Sequence, residues 1–386
     1  MACRCWILPC SQAPKTQGQV WHWQSRFPPM QSGVLVAAAA RVSHRLMRSI
    51  RQAPRRRASA REPARHGGRG SADTLAGVPV RPGSAARVET QTAEAARGEH
   101  KVIRVSPLDV VADLPRPGRT LVMGVVNVTP DSFSDGGEWL DPAAAIAHGM
   151  ELLSEGADII DVGGESTRPG AIRPEVSEEL RRVLPVVREL AAADACVSID
   201  TMRAAVAEPA IAAGARLVND VSGGRSDPLM LGLVAESGVS YVCMHWRGHS
   251  ADMQSKATYA DVVAEVIAEL STQLDEADRA GVAADKLIID PGFGFAKTGE
   301  HNWQLLQRLE EFDVLGRPML VGVSRKTFLG RLLASADGSP RPAKERDDAT
   351  TALTTVLALR EVWGVRVHSV RASRDAIAVA RRLQSH

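Results

Sequence analysis

Short runs of apolar, mostly β-branched residues alternate with longer amphipathic stretches from Thr120 to the C-terminus. In the amphipathic stretches apolar residues recur at spacings of three and four, which gives each predicted helix one apolar face. The short runs are almost continuously apolar, which is typical of parallel strands covered by helices. Eight such units predict an α/β protein, a TIM (β/α)8 barrel. The predicted strands are Leu121 to Val128, Ala157 to Val162, Cys196 to Asp200, Arg216 to Asp220, Val239 to His245, Leu287 to Asp290, Met319 to Val323 and Gly364 to Val370.

A doubly wound open sheet is the alternative architecture. Its usual dinucleotide-binding fingerprint, Gly-x-Gly-x-x-Gly, does not follow the first predicted strand. Polar residues stand instead near the ends of several strands, and a barrel gathers those ends on the one face where such enzymes hold their active sites. These residues are Asn127, Asp161, Asp200, Asn219, Asp290, Ser324, Arg366 and His368.

The first hundred residues differ in charge from the rest of the chain. They hold 16 Lys and Arg against 5 Asp and Glu, whereas the remainder holds 31 against 40. They show no sustained helix or strand period, so they cannot bury enough apolar surface to offset the entropy of ordering. We therefore predict a disordered basic extension over residues 1–115 and a barrel over residues 116–386. A transit peptide is an alternative for the extension, whereas no groove-entering motif supports nucleic-acid binding.

The chain has no predicted membrane span. Its longest apolar run, 34–40, has seven residues, and about 18 or more are needed to cross a bilayer. Cys196 and Cys243 lie in apolar runs, which predicts buried thiols in a reducing compartment. We expect a cytoplasmic protein whose partners are small molecules.

Three acceptors at strand ends suggest a site for a flat heterocycle. Any one of Asp200, Asn219 and Asp290 would be explained equally well as a helix N-cap. Together they favour a ring that presents several N–H donors, because a guanidine-like edge needs acceptors in its own plane.

Basic and hydroxyl side chains after three other strands suggest a phosphate site. Arg offers phosphate a bidentate fork and Lys a point charge, and barrels often bind phosphate near strands seven and eight. A lone histidine at this depth is more often a core residue, but Arg366 beside His368 favours an anion site. The group comprises Thr167, Arg168, Ser324, Arg325, Lys326, Arg366 and His368.

Seven segments at the strand ends carry a specific residue pattern. They are Asn127 to Gly137, Asp161 to Gly170, Ser198 to Thr201, Asn219 to Gly224, Asp290 to Thr298, Gly322 to Lys326 and Arg366 to His368. In this order they resemble the motifs of the dihydropteroate synthase family, from about residue 120 to residue 384. The first two are long loops rich in Gly, Pro and small polar residues, which predicts lids that exclude water.

The resemblance implies a transferase of folate biosynthesis, the target of sulfonamides. Its reaction joins 6-hydroxymethyl-7,8-dihydropterin diphosphate to 4-aminobenzoate and gives 7,8-dihydropteroate and diphosphate. It implies a dissociative, carbocation-like substitution that needs no strong general base, with Mg²⁺ bound to the diphosphate. It also implies a homodimer.

The resemblance assigns roles to individual residues. The pterin would be held by Asp200, Asn219, Asp290 and Lys326, and Mg²⁺ would be bound by Asn127. Arg366 and His368 would bind the diphosphate. The aminobenzoate side would be completed by Thr167, Arg168, Pro169, Phe295 and Ser324. Asp290, Lys326, Arg366 and His368 are then the catalytic residues.

Two alternative functions share the pterin acceptors. A methyltetrahydrofolate:corrinoid methyltransferase has the same fold but no use for the diphosphate-binding set. A degenerate paralogue would bind a pterin without catalysis. One residue departs from the family pattern: Ser369 stands where Asp usually follows the Arg-x-His motif, and we expect it to reduce activity rather than abolish it.

Overall fold

The computed structural model describes residues 111–129, 141–166, 173–249 and 253–385. Eight parallel strands form one sheet in the order β6-β5-β4-β3-β2-β1-β8-β7. All eight predicted strands are confirmed, with ends that shift by at most three residues. They are β1 (Leu121–Asn127), β2 (Ile159–Gly163), β3 (Val197–Asp200), β4 (Leu217–Asp220), β5 (Ser240–Met244), β6 (Leu287–Asp290), β7 (Leu320–Val321) and β8 (Gly364–Val367).

The sheet closes between β6 and β7 through a narrow joint. Ile289 forms an isolated parallel bridge with Met319, and the Ile289 N–H donates to the Pro318 carbonyl at 2.9 Å. Closure makes the predicted TIM barrel the observed fold.

Helices cover the outside of the barrel, and several begin at side-chain caps. Asp261 accepts hydrogen bonds from the backbone of Val263 and Ala264, and Thr298 forms a capping box with His301. In the described residues the α-helices are α1 (Pro142–Ser154), α2 (Val176–Ala192), α3 (Ala204–Ala212), α4 (Met230–Ser237), α5 (Val262–Arg279), α6 (Gly299–Gln307), α7 (Thr327–Leu332), α8 (Asp347–Leu359) and α9 (Val370–Gln384). Four 3₁₀ helices span Met253–Lys256, Ala284–Lys286, Leu309–Leu315 and Ala343–Arg346.

The strands alternate between two cores. Val122 packs in the layer between sheet and helices, while Leu121 and Met123 belong to the core inside the barrel. The inward positions change from apolar to polar toward the carboxyl ends of the strands, which creates a polar mouth above an apolar floor. The apolar positions are Ile159, Leu217 and Ile288, and the polar ones that follow them by two residues are Asp161, Asn219 and Asp290.

The floor of the barrel includes the first described residues. Val111 and Leu114 are buried in the same apolar cluster as Leu121 and Trp363. Residues 111–115, which the sequence assigned to the extension, therefore pack with the barrel. The rest of the predicted extension lies outside the described residues. Over the described ranges, no helix has the length and apolarity to cross a membrane.

Strand β8 is shorter than predicted. It ends at Val367, and the His368 N–H donates to the Ser324 hydroxyl at 3.3 Å instead of continuing the ladder. The prediction that Arg366 and His368 lie on one strand is therefore wrong for His368. Ser369 becomes the N-cap residue of α9 without a side-chain cap bond.

Candidate active site

A cavity of about 830 Å³ opens at the carboxyl ends of the strands. Nine of the twelve predicted site residues line it: Asn127, Asp200, Asn219, Asp290, Phe295, Ser324, Lys326, Arg366 and His368. The other three, Thr167, Arg168 and Pro169, lie outside the described residues. Residues more than 200 positions apart in the chain thus meet in one site, as the barrel geometry predicts.

An ion network crosses the mouth of the barrel. Arg366 donates from Nε to Asp161 Oδ2 at 2.7 Å and from Nη2 to Asp200 Oδ2 at 2.8 Å. Asn219 Nδ2 also donates to Asp161 Oδ2, at 3.0 Å. The Arg366 guanidinium is thus bound to two carboxylates of the protein in this structure, whereas the sequence predicted that it would bind the diphosphate. Sequence analysis placed Asp161 at a strand end but gave it no role.

The network fixes which polar atoms remain for a ligand. The Asn219 amide nitrogen is committed to Asp161, so its Oδ1 is the atom left to accept a hydrogen bond. Asp161 is fully buried, and its Oδ1 has no hydrogen-bond partner in the described part of the chain. Buried polar groups are normally paired. Asp161 does not line the cavity, so the acceptors that remain for a ligand are Asn219 Oδ1 and the carboxylates of Asp200 and Asp290.

Asp290 faces this network from β6. Its Oδ1 accepts the Gly292 N–H at 2.7 Å, and burial raises its pKa while Lys326, Lys297 and Arg366 oppose the rise. Burial also raises the pKa of Asp200 to about 7, against the opposing charge of Arg366. Both carboxyl groups lie where charge is poorly solvated, so a cationic or N–H-donating partner gains strongly from them.

Strand β7 leads into a strained turn that carries two site residues. Arg325 has φ +59°, and its guanidinium is directed to Asp347 at 2.7 and 2.8 Å. The Ser324 hydroxyl lies 3.0 Å from His368 Nδ1. Lys326 Nζ lies 4.3 Å from the centre of the Phe295 ring, and burial, then Arg366, lowers its pKa to about 8. The Arg325 guanidinium is thus paired with Asp347, and Ser324, Arg325 and Lys326 all line the cavity.

Comparison with known proteins identifies the family. The model of the family described as pterin binding enzyme matches residues 123–368. The dihydropteroate synthase of Mycobacterium leprae is 59% identical over 259 residues, which cover 67% of this chain and 91% of that protein. The chain belongs to the dihydropteroate synthase family. The predicted activity, a transferase reaction of folate biosynthesis, is confirmed.

Solved structures of dihydropteroate synthases agree with this assignment. The Xanthomonas albilineans enzyme with 4-aminobenzoic acid superposes with a TM-score of 0.63 at 44% identity, covering 69% of this chain and 94% of that one. The same enzyme in complex with 7,8-dihydropteroate gives a TM-score of 0.61 at 41% identity, covering 69% and 95%. The ligands of these two solved structures are 4-aminobenzoic acid and 7,8-dihydropteroate.

Three cavity residues were not predicted from the sequence as site residues. Lys297 and Asn302 line the cavity on the side of β6, and Glu165 lies across it, paired with Arg173 at 2.9 Å. Lys297 stands inside the segment from Asp290 to Thr298, so the motif contained a signal for it. Only its burial shows that the charge is directed inward.

Proposed function

We propose that the network at the barrel mouth binds the pterin ring of the diphosphate substrate. Asp200, Asn219 and Asp290 accept hydrogen bonds from the ring's amino and N–H groups, and Lys326 donates to an acceptor of the ring. The orientation of Asn219, fixed by Asp161 at 3.0 Å, is the observation that carries this assignment. It supports a ring with adjacent donors over an anion, because an anion would face carboxylates.

The other wall of the cavity suits the leaving diphosphate and the arylamine. Ser324 and His368 lie 3.0 Å apart and supply donors where negative charge develops as the methylene-to-oxygen bond breaks. Asp290 and Asp200 favour positive charge on the ring at the same moment. The arylamine is neutral at pH 7, so it attacks the methylene carbon without a strong base, and Phe295 offers a face against which its ring packs.

Magnesium fits this site as an ion carried with the diphosphate. Asn127 ends β1 and lines the cavity with a hard oxygen ligand. In the described residues no group of three His, Cys, Asp or Glu is placed to hold a metal. Mg²⁺ usually takes one or two protein ligands together with substrate phosphates and waters. When bound it would neutralise the departing diphosphate, with Asn127 as its protein ligand.

Chelation tests this assignment. We expect protein treated with EDTA to lose turnover and added Mg²⁺ to restore it. Asn127→Ala should raise the Mg²⁺ concentration for half-maximal rate by about tenfold or more, whereas Asn127→Asp keeps an oxygen ligand and should respond much less. If wild type and both variants reached the half-maximal rate at the same Mg²⁺ concentration, Asn127 would not be a ligand of the metal.

The activity is tested by diphosphate release from the full-length protein. The assay supplies the pterin diphosphate and Mg²⁺, with and without 4-aminobenzoate, and we expect release to depend on the arylamine. Pterin binding without diphosphate release would favour the degenerate paralogue. The residue assignments for Thr167, Arg168 and Pro169 on the aminobenzoate side enter the proposal from the family resemblance alone.

The charge of Lys326 predicts how pterin binding depends on pH. Burial and Arg366 lower the Lys326 pKa to about 8, although Asp290 and Asp200 oppose the shift. The charged donor is therefore present below that pH and lost above it. We expect the Kd for the pterin diphosphate, measured by calorimetry, to rise above about pH 8. A Lys326→Arg variant should bind without this rise, and an identical rise would assign the titration to another group.

The proposal extends to the assembly and the compartment. Two cysteines, Cys196 and Cys243, are free and buried, which suits the reducing cytoplasm. Helices α8 and α9 expose four apolar side chains, Val356, Leu359, Val379 and Leu383, which supports an apolar contact between two copies of the chain. We infer a cytoplasmic homodimer, and sedimentation equilibrium that returned the mass of one chain would overturn it.

A further inference from the structure

Lys297 is a buried lysine at the edge of the cavity, in the loop that follows β6. It is 3% exposed, and its Nζ lies 2.9 Å from His245 Nδ1, 3.1 Å from the Gly292 carbonyl and 3.2 Å from the Phe295 carbonyl. Three acceptors match the three N–H donors of an ammonium group, whereas a neutral amine donates only two. The geometry therefore selects the charged form.

His245, which accepts a hydrogen bond from Lys297, connects the lysine to a partly exposed ion pair. His245 is fully buried, and burial followed by the charge of Lys297 lowers its pKa to about 3. The neutral ring accepts from Lys297 at Nδ1, so its Nε2 carries the proton and donates to Glu269 at 2.9 Å. Arg247 in turn donates to Glu269 at 3.1 Å. The ammonium charge is thus balanced through His245 by a carboxylate that is itself paired.

Charges around Lys297 act in both directions. Burial lowers its pKa to about 7 with the help of Arg247 and Lys326, whereas Asp290 and Glu269 oppose the shift. The buried ammonium is therefore maintained by its three acceptors and these two carboxylates.

The Lys297 ammonium group lies inside the turn formed by residues 291–298. The Gly292 N–H donates to Asp290 Oδ1 at 2.7 Å, and the Phe295 N–H donates to the Gly292 carbonyl at 3.1 Å. Ala296 adopts φ +47°, a conformation that a non-glycine residue keeps only where its surroundings enforce it. Lys297 contributes to that enforcement by binding the Gly292 and Phe295 carbonyls, together with Asn302, which accepts the Gly294 N–H at 2.7 Å, and Tyr259, whose hydroxyl donates to the Ala296 carbonyl at 3.0 Å.

We propose that Lys297 is a positioning residue for the arylamine half of the reaction. Its ammonium group fixes the turn over residues 291–298 and thereby the place of the Phe295 ring, without contacting either substrate in this role. The inference rests on the proposed assignment of Phe295 to the aminobenzoate side. The position of Asp290 depends on Lys297 less, because the register of β6 against β5, with Met244 opposite Asp290, holds it independently, although burial raises the Asp290 pKa and the charge of Lys297 opposes that rise.

Steady-state kinetics of Lys297→Met test the proposal. The variant keeps an unbranched side chain as far as Cε but lacks the ammonium group, which leaves three acceptors without their donor. A displacement of about 1 Å in a positioned group costs about 100-fold, so we expect the KM for 4-aminobenzoate to rise by about that factor. The Kd for the pterin diphosphate should change by less than about threefold, a much smaller free-energy difference. A role in folding alone would lower kcat through the active fraction and leave this KM unchanged.

A matched control exists at the other end of the same strand. Lys286 precedes β6 and pairs with Asp113 near the floor of the barrel, so Lys286→Met makes the same chemical change away from the cavity. It should leave the KM for 4-aminobenzoate at the wild-type value.

Chemical rescue separates the charge from the space that the side chain fills. Lys297→Ala removes the atoms of propylamine, so added propylammonium should restore the low KM in that variant, and propanol should not. The same amine should have no effect on Lys297→Met, whose side chain fills the space. Should Lys297→Met fail to fold, the Lys297→Ala comparison decides alone.

Two results would overturn the inference: a wild-type KM in Lys297→Met, or equal rescue by propanol and propylamine. Failure of the underlying function is recognised separately, because the wild-type protein would then release no diphosphate in response to 4-aminobenzoate. That result would remove both proposals.

Discussion

Replacing Asp290 with asparagine should lower kcat/KM by about 100- to 1000-fold while the protein stays folded. The exchange removes a buried carboxylate that the proposed function assigns to the pterin, and loss of one partner of such a hydrogen-bonded pair costs about 2 to 5 kcal/mol. It also places an amide donor where the ring presents donors of its own. The fold should survive because the asparagine Oδ1 can still accept the Gly292 N–H, which now donates to Asp290 at 2.7 Å.

The matching control is Asp285→Asn, at the opposite end of the same strand. Asp285 is exposed and lies in the 3₁₀ helix before β6, so this variant should keep the wild-type kcat/KM. Calorimetry with the pterin diphosphate should show the loss in Asp290→Asn as weaker binding. Wild-type affinity in that variant would place the pterin elsewhere in the cavity.

Replacing Arg366 with methionine should destabilise the protein and inactivate it. Arg366 is the shared partner of Asp161 and Asp200, at 2.7 and 2.8 Å, and without it two buried carboxylates face each other. Removing one partner of a buried ion pair costs about 3 to 5 kcal/mol. We expect urea unfolding to show a loss of that size and diphosphate release to fall to background.

A second substitution distinguishes the charge effect from simple loss of packing. In the Arg366→Met background, Asp161→Asn removes one of the two facing carboxylates and should recover part of the lost free energy of unfolding without recovering activity. Arg366→Lys keeps one charge but loses the fork that reaches both carboxylates, and should be intermediate in stability. No recovery in the double variant would mean that the two carboxylates do not repel each other.

The architecture and most of the site could be predicted because both follow from local patterns. Each strand is an apolar run, and the residue that ends it enters the barrel mouth whatever the rest of the chain does. Asp200, Asn219 and Asp290 were found in this way. The role of Asp161 was not, because its partner Arg366 lies 205 residues away and no local pattern records which oxygen meets which nitrogen.

Two other features depend on tertiary contacts in the same way. Lys297 gains its role from His245, 52 residues earlier, and a lysine in a loop ordinarily indicates exposure. Arg325 was grouped with the anion-seeking residues, but its left-handed backbone and Asp347 direct its guanidinium into an ion pair. Arginine rarely adopts that conformation, so the sequence contained no signal for it.

The short contact between β6 and β7 links ligand binding to the stability of the barrel. Strand β7 has two residues and meets β6 through the bridge from Ile289 to Met319. Asp290, which ends β6, and Lys326, which lies in the turn after β7, both line the cavity. Under the proposed function, a pterin bound by both residues would connect β6 and β7 where the barrel has its fewest strand-to-strand contacts. Because a ligand that binds only the folded protein stabilises it, such a pterin would also raise the free energy of unfolding of the barrel.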